Sequence, residues 1–231
     1  MDSVNSIRGV KPTPLMIYGM LESRFGFQGW WPGRNNFEIL VGAMLTQQTS
    51  WKNVDKALLN LRKGGLLSLD AIAGADLHEL ELMIRPSGYY RQKAARLKAV
   101  CSYIQYKYST LRRFLNRDVQ TLRAELLSLN GIGNETSDSI ILYAADKPVF
   151  VIDAYTKRMA ARLFSIWENL EYDVLQDYFQ SALAKDVGLY KDFHAQIVEL
   201  GKRYCRTKPL CGGCPLFKVC RYRKSSWHPY R

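Results

Sequence analysis

The sixteen residues LNGIGNETSDSIILYA, from Leu129 to Ala144, decide how this chain folds. One helical pattern ends at Leu129, the triplet Gly131-Ile132-Gly133 forms a turn, and a second helical pattern begins near Asn134. The two glycines permit positive φ angles and leave backbone N–H groups uncovered at the start of a helix. The stretch therefore predicts a hairpin between two helices that binds a phosphate without reading a base. An ordinary αα-hairpin, which also favours glycine, is the alternative.

Helical spacing recurs along nearly all of the 231 residues. Apolar residues repeat at i, i+3 and i+4 in eight segments, among them 36–45, 154–164 and 192–205. The one β-like stretch, KPVFVID (147–153), is too short and isolated to form a sheet. Because 47% of the residues are hydrophobic, the chain can build a sizeable core. The sequence predicts an all-α fold.

Positive charge is concentrated in two parts of the chain. Nine Lys or Arg residues and no acidic residue lie between Arg85 and Arg117, and the same holds between Lys202 and Arg231. Their eighteen positive charges exceed the formal net charge of +12, and aromatic residues are interleaved with them. A solvated face is the plain interpretation, but the pattern favours a polyanion. Nucleic acid is favoured over a membrane because no lipidation signal or long apolar helix accompanies the charge.

Four cysteines near the C-terminus have the spacing C-x5-C-x2-C-x5-C and read as a metal site: Cys205, Cys211, Cys214 and Cys220. Ligation by cysteine alone leaves a tetrahedral zinc ion or an iron–sulfur cluster. Zinc sites usually pair two C-x2-C clips, and only one is present, so the spacing favours the cluster. The fifth cysteine, Cys101, reads as a buried helix residue. A disulfide framework does not fit a chain of this length without an apolar signal core, so we expect a reducing, intracellular compartment.

An aspartate follows the apolar run VFVI and opens a helical pattern. The structural interpretation of Asp153 is a helix N-cap, whose side chain accepts backbone N–H bonds. The functional interpretation is a carboxylate beside an apolar wall at the mouth of a cleft. The two interpretations of Asp153 are compatible. Donors at a helix N-terminus keep a carboxylate ionised, and an ionised carboxylate stabilises a cationic sugar transition state.

These motifs together resemble the endonuclease III branch of the helix–hairpin–helix DNA glycosylase superfamily. The matching segments appear in family order over roughly residues 15 to 220: MLTQQTS (44–50), SGYYRQKA (87–94), LNGIGNETSDSI (129–140), VID (151–153) and the cysteines. The resemblance implies a six-helix barrel domain with the hairpin at 30–147, and an iron–sulfur domain from 1–29 and 148–231. It implies a [4Fe–4S] cluster on the four cysteines, although the first cysteine gap is one residue shorter than is common in the family.

The resemblance also implies how the chain acts. We expect a cytoplasmic, DNA-associated monomer that binds double-stranded DNA containing a damaged base and flips the target nucleotide out. Residues expected to contact DNA are Gly131, Gly133, Asn134, Gln47, Arg206 and Lys208. Asp153 matches the catalytic aspartate of the family. Bifunctional members carry a lysine two residues after the second glycine, where it forms a Schiff base with the sugar. Here that position is Glu135, so we expect a glycosylase without lyase activity.

Substrate choice is suggested by a sub-branch that excises methylated purines, notably 3-methyladenine. The chain resembles that sub-branch at WWP (30–32), TQQTSWKNV (46–54) and IRPSGYYRQKA (84–94). By analogy, the expected base pocket comprises Trp31, Pro32, Trp51, Glu135 and Gln48. A cationic base such as 3-methyladenine suits a π-rich slot, through a cation–π attraction of about 1–2 kcal/mol. The structural interpretation is that these tryptophans are core residues, and some members of the sub-branch lack the cluster.

Two other functions remain open from the sequence. A monofunctional glycosylase acting on thymine or uracil mismatches would share Asp153 and the absence of the lysine, with amides of Gln47, Gln48 and Asn134 reading the pyrimidine edge. A non-catalytic iron–sulfur DNA-binding regulator would keep the basic surface and the cluster. It would not need a carboxylate at the position of Asp153.

Overall fold

The structure is a computed structural model that describes residues 12–29, 31, 33–164 and 171–222, and these residues form helices without any strand. The predicted all-α fold is confirmed. The chain divides into two compact units. The central unit is Trp31–Val149, and the terminal unit combines Met1–Trp30 with Phe150–Arg231. Within the described residues, no helix has both the length and the apolar character that a membrane span requires.

In chain order the helices of the described residues are α1 (Pro14–Phe25), α2 (Asn36–Leu45), α3 (Trp51–Lys63), α4 (Leu69–Gly74), α5 (Leu77–Ile84), α6 (Tyr90–Tyr108), α7 (Leu111–Leu115), α8 (Val119–Ser128), α9 (Asn134–Ser139), α10 (Ala154–Phe164), α11 (Tyr172–Ser181) and α12 (Val187–Arg203). A 3₁₀ turn covers Arg85–Ser87, and a π-helical turn, Ile140–Ala144, continues directly from α9.

Many of these helices begin at a polar side chain that caps their first turn. An oxygen of each capping side chain accepts a hydrogen bond from a backbone N–H group that the helix itself leaves without a partner. The capping residues are Thr13 for α1, Asn35 for α2, Ser68 for α4, Asp76 for α5, Thr110 for α7, Asp118 for α8 and Asp186 for α12. Local sequence thus fixes where these helices start.

Helix α6 forms the middle of the central unit and packs against α2, α4, α5 and α7. Its apolar face, which includes Leu97, Val100, Cys101 and Ile104, is fully or almost fully buried. Cys101 is therefore a core residue, and burial raises the pKa of its thiol to about 12. The hairpin and α2 belong to this same unit, so the core supports the segments that carry Gly131, Gly133 and Gln47.

A buried lysine joins three segments of the central unit. The Lys93 ammonium donates hydrogen bonds of 2.8 Å to the carbonyl oxygens of Leu45, Gln47 and Ser87. Leu45 is the last residue of α2 and Gln47 follows it, in the region where a helix leaves its last C=O groups without partners. Burial lowers the pKa of Lys93 to about 8, although three carbonyl acceptors favour the charged form. One cation thus fixes the end of α2, the 3₁₀ turn and the start of α6.

In the terminal unit, α12 packs against both α1 and α10. Phe150, Phe179, Tyr190 and Phe193 form a buried aromatic group around it. The approach of α10 to α12 depends on Gly201, because a Cβ atom at that position would lie 2.1 Å from the Tyr155 ring. Only glycine allows this spacing.

We predict that Lys93→Met lowers the free energy of unfolding by about 3 kcal/mol. Each buried carbonyl that loses its donor costs about 1–3 kcal/mol. Part of this loss is offset because the variant no longer has to desolvate an ammonium group. The control is Lys56→Met, the same substitution at an exposed position of α3. Urea unfolding followed by circular dichroism measures both variants. Equal unfolding midpoints for the two variants would contradict the role given to Lys93.

Candidate functional site

The hairpin of the central unit uses its two glycines differently. Gly131 has φ +89°, and the Arg96 side chain occupies the space where a Cβ would be, with Cδ 2.3 Å from that position. Gly133 has φ −98°, an ordinary backbone angle, and no atom lies within 4 Å of a Cβ built there. Of the two glycines, only Gly131 therefore uses the positive φ that glycine permits. Neither backbone angle nor crowding within the described chain requires a glycine at that exposed position.

Side chains from neighbouring segments hold the hairpin in place. Gln47 donates from Nε2 to the Gly131 carbonyl at 2.8 Å and to Thr136 Oγ1 at 3.0 Å. Arg123 of α8 forms a two-pronged ion pair with the fully buried Asp138 of α9, with Nε 2.8 Å from Oδ1. Gln47 was predicted to contact DNA, and the structure shows that its amide nitrogen supports the hairpin backbone.

Three aromatic residues meet beside the loop after α2. The ring centroids of Trp31 and Trp51 lie 5.2 Å apart at an interplanar angle of 82°, and Tyr143 lies 4.6 Å from Trp31 at 41°. The two tryptophans are predicted pocket residues, and the structure brings them together edge to face. This arrangement forms no parallel slot between the two tryptophan rings. Tyr143, on the π-helical turn, is buried and was missed from the sequence.

The other predicted pocket residues are more open. Gln48 is exposed and has φ +54°, a left-handed angle that a residue with a side chain adopts at some cost in strain. Glu135 is exposed in the first turn of α9. Pro32, together with Trp30, lies outside the described residues. Among the predicted DNA contacts, Asn134 is the half-buried first residue of α9, and Arg206 and Lys208 are exposed.

Asp153 of the terminal unit caps the start of α10 and is buried. Its Oδ1 accepts hydrogen bonds from the backbone N–H of Thr156 at 2.7 Å and from the Thr156 hydroxyl at 2.9 Å, as a helix cap does. Its Oδ2 lies 3.5 Å from Nε2 of His194, a buried residue of α12. The carboxylate follows the buried apolar segment from Val149 to Ile152.

The environment keeps Asp153 ionised. Burial raises the pKa of its carboxyl group, but the contact with His194 and the hydrogen bonds from Thr156 outweigh burial, so the pKa lies below its usual value. A buried carboxylate that remains charged is a fixed negative charge in a poorly solvated setting, where electrostatic effects are strong. His194 was not identified from the sequence, because it lies forty-one residues after Asp153 and only tertiary packing brings the two together.

The four cysteines of the motif line one cavity of the terminal unit. Cys205, Cys211, Cys214 and Cys220 all face it, together with Arg162. None is in a disulfide. The pKa of Cys214 is raised to about 11, mainly by burial and to a smaller extent by the charges of the other three thiols. Among the described residues, no three His, Cys, Asp or Glu side chains converge closely enough for one metal ion. The donor set is all thiol, which suits an iron–sulfur cluster with each cysteine on a different iron.

Helix α10 holds the cysteine segment. Arg158 donates from Nε to the Cys205 carbonyl at 2.6 Å. Arg162 donates to the carbonyls of Arg206 and Thr207 at 2.6 Å and 3.0 Å, and its Nη1 lies 3.4 Å from Cys205 Sγ. The helix that begins beside Asp153 therefore also fixes the backbone around the first cysteine.

Comparison with known proteins gives these sites a family context. The sequence profile of the HhH-GPD superfamily of base excision DNA repair proteins matches residues 41–185. A provisionally assigned DNA repair glycosylase of Methanocaldococcus jannaschii is 48% identical over 206 residues, which are 88% of this chain and 94% of that protein. A thymine/uracil-DNA glycosylase of Pyrobaculum aerophilum is 28% identical over 81% of this chain and 80% of its own length.

Solved structures agree with these sequence matches. The crystal structure of the H. pylori 3-methyladenine DNA glycosylase bound to 1,N6-ethenoadenine has a TM-score of 0.75 at 31% identity, and the match covers 83% of this chain and 98% of that one. A non-covalent endonuclease III–DNA complex has a TM-score of 0.79 at 24% identity, covering 92% and 97%, and shows the shared fold. The motif resemblance is confirmed: the chain belongs to the HhH-GPD superfamily of base excision DNA repair proteins.

Proposed function

We propose that this protein is a monofunctional DNA glycosylase that excises an alkylated purine, with 3-methyladenine first, by hydrolysis of the bond between base and sugar. The observation that carries the proposal is Asp153, a buried carboxylate that its neighbours keep ionised. The similarity to the M. jannaschii protein supports the glycosylase class, and the similarity to the H. pylori 3-methyladenine DNA glycosylase supports the purine substrate. The family context argues against a purely regulatory DNA-binding protein.

DNA binding is assigned to the hairpin and to the basic surface. The free space around Gly133 lets a phosphate approach the backbone N–H groups at the start of α9, which Asn134 begins. Gln47 acts indirectly, by holding the Gly131 carbonyl and thereby the hairpin. Arg206 and Lys208 add exposed positive charge in the terminal unit. These contacts bind duplex DNA through its backbone and leave the damaged base to be flipped out.

In the chemical step, Asp153 stabilises positive charge that develops on the sugar as the base leaves. A preorganised charge in a dry site is worth several kcal/mol at the transition state. Water is the nucleophile, because Glu135 stands where a Schiff-base lysine would be needed and a carboxylate cannot form that adduct. Release of the base thus leaves an abasic site in an intact strand.

The aromatic group of Trp31, Trp51 and Tyr143 is the proposed base pocket. Since Trp31 and Trp51 meet edge to face, the flipped base would stack on one of the two rings rather than between them, and a cationic methylpurine would gain cation–π attraction there. A mismatch glycosylase would need amides that read a pyrimidine edge. The Gln47 amide nitrogen is already committed to the hairpin, which removes one of the three candidate amides and supports the purine substrate.

A [4Fe–4S] cluster bound by Cys205, Cys211, Cys214 and Cys220 is part of the proposal. When bound, it would cross-link the C-terminal segment to itself and so serve a structural role. The thiol-lined cavity and the arginines that hold its backbone support this assignment. We further propose that residues 30–147 act as the six-helix barrel domain and that 1–29 with 148–231 act as the iron–sulfur domain, in a cytoplasmic monomer.

We expect Asp153→Asn to reduce base excision by about two to three orders of magnitude, the range seen when one electrostatic stabiliser is lost. DNA binding should survive, because the phosphate contacts do not involve this residue. The matched control is Asp186→Asn, the same change at the exposed aspartate that caps α12. Single-turnover excision and a gel-shift assay measure both variants. Near-normal excision by Asp153→Asn would disprove the catalytic assignment.

We expect methylated purines to be released from alkylated DNA, with little release from G·T or G·U duplexes. The strand should break only after alkali, because the enzyme leaves an abasic site.

Trp51→Ala should weaken excision by about 1–3 kcal/mol if the base stacks on that ring. Tyr106→Ala, at an exposed tyrosine of α6 in the same unit, is the control. Thymine or uracil release without methylpurine release would instead support the mismatch function, and breakage without alkali would reveal a lyase.

Protein purified without oxygen should contain iron and acid-labile sulfide in equal amounts, about four of each per chain. Cys214→Ser should lose most of this iron, because serine is a poor ligand for the cluster. Cys101→Ala removes a thiol from the core of the other unit and should keep it. Stoichiometric zinc in wild-type protein, measured by elemental analysis, would refute the cluster.

A further inference from the structure

His194 is a buried ionisable residue that the proposed mechanism does not yet use. It lies on α12 with 3% of its surface exposed, and its Nε2 is 3.5 Å from Oδ2 of Asp153, which is itself 8% exposed. The two oxygens of the carboxylate therefore face different partners. Thr156 occupies Oδ1 with two hydrogen bonds, and the imidazole faces Oδ2.

Other groups near the pair have partners of their own. Asp192, two residues before His194, accepts hydrogen bonds from the Tyr18 hydroxyl of α1 at 3.0 Å and from the Gln28 N–H at 2.7 Å. On α10, Lys157 is exposed. Within the described part of the chain, His194 is the ionisable side chain in contact with the Asp153 carboxylate.

We propose that His194 is a positioning residue for base excision: its imidazole, with Nε2 3.5 Å from Oδ2, orients the Asp153 carboxylate and holds it in the charged form. This inference rests on the proposed glycosylase function of Asp153. Thr156 alone fixes one oxygen and leaves the carboxylate free to tilt about that anchor. A donor at the second oxygen restrains this motion, and a catalytic group must be held within about half an ångström of its working position.

The contact also compensates for burial. A carboxylate removed from water tends to take up a proton, and a protonated Asp153 cannot stabilise a cationic sugar. A donor or a positive charge at Oδ2 favours the ionised form. Loss of the imidazole should therefore raise the pKa of Asp153, and excision should fail at a higher pH than in the wild type.

The experiment compares His194→Leu, which removes the donor at similar volume, with His194→Gln, whose amide can donate from a similar place. His78→Leu, the same change at an exposed histidine of α5, is the control. Two quantities are measured: the acid limb of the pH–rate profile for release of methylated bases, and the pKa of Asp153 from ¹³C NMR of its carboxyl carbon. The signal is assigned by its absence from Asp153→Asn.

We expect both quantities to rise by about one pH unit in His194→Leu and to stay near the wild-type values in His194→Gln and His78→Leu. A simple loss of stability would lower the rate at every pH without moving the acid limb. An unchanged Asp153 pKa in His194→Leu would overturn the inference. A shifted pKa in a protein that releases no base would uphold the pairing and refute the proposed function, so the two failures are distinguishable.

Discussion

The ammonium group of Lys93 is the point on which the central unit depends. It supplies donors to carbonyls at the end of α2 and in the 3₁₀ turn while it belongs to α6. One of those carbonyls is that of Gln47, whose side chain in turn holds the Gly131 carbonyl. A buried cation is costly to desolvate, and here three hydrogen bonds to carbonyl oxygens offset that cost and hold three segments together. The hairpin is thus held in place by contacts to the core rather than by its own short turn alone.

In the terminal unit, one helix, α10, supports two sites. Asp153 precedes α10, while Arg158 and Arg162, one helical turn apart, hold the backbone around Cys205. Residues four apart lie on the same helix face, so both arginines reach the cysteine segment. The carboxylate and the cysteine segment are consequently supported by the same rigid element, which suits a site whose geometry must not drift.

Local signals explain which parts of this structure could be predicted. The helical patterns at 36–45 and 154–164 coincide with α2 and α10, because periodicity and caps act over a few residues. Helix α1 was not among the predicted segments, although Thr13 before Pro14 is a readable start signal. The edge-to-face meeting of Trp31 with Trp51 and the approach of His194 to Asp153 come from packing between distant segments, and no local pattern encodes them.

The missing side chain at Gly201 has an effect well beyond its own position. Gly201 lies two helical turns after His194, about 10 Å along α12, and its neighbour Tyr155 lies two residues after Asp153. Any larger residue at 201 would act as a wedge between α10 and α12 and widen the gap that the imidazole must span. The absence of a Cβ at Gly201 thus sets the distance between α10 and α12. That distance in turn determines how closely His194 approaches the Asp153 carboxylate, although Gly201 does not need to contact it.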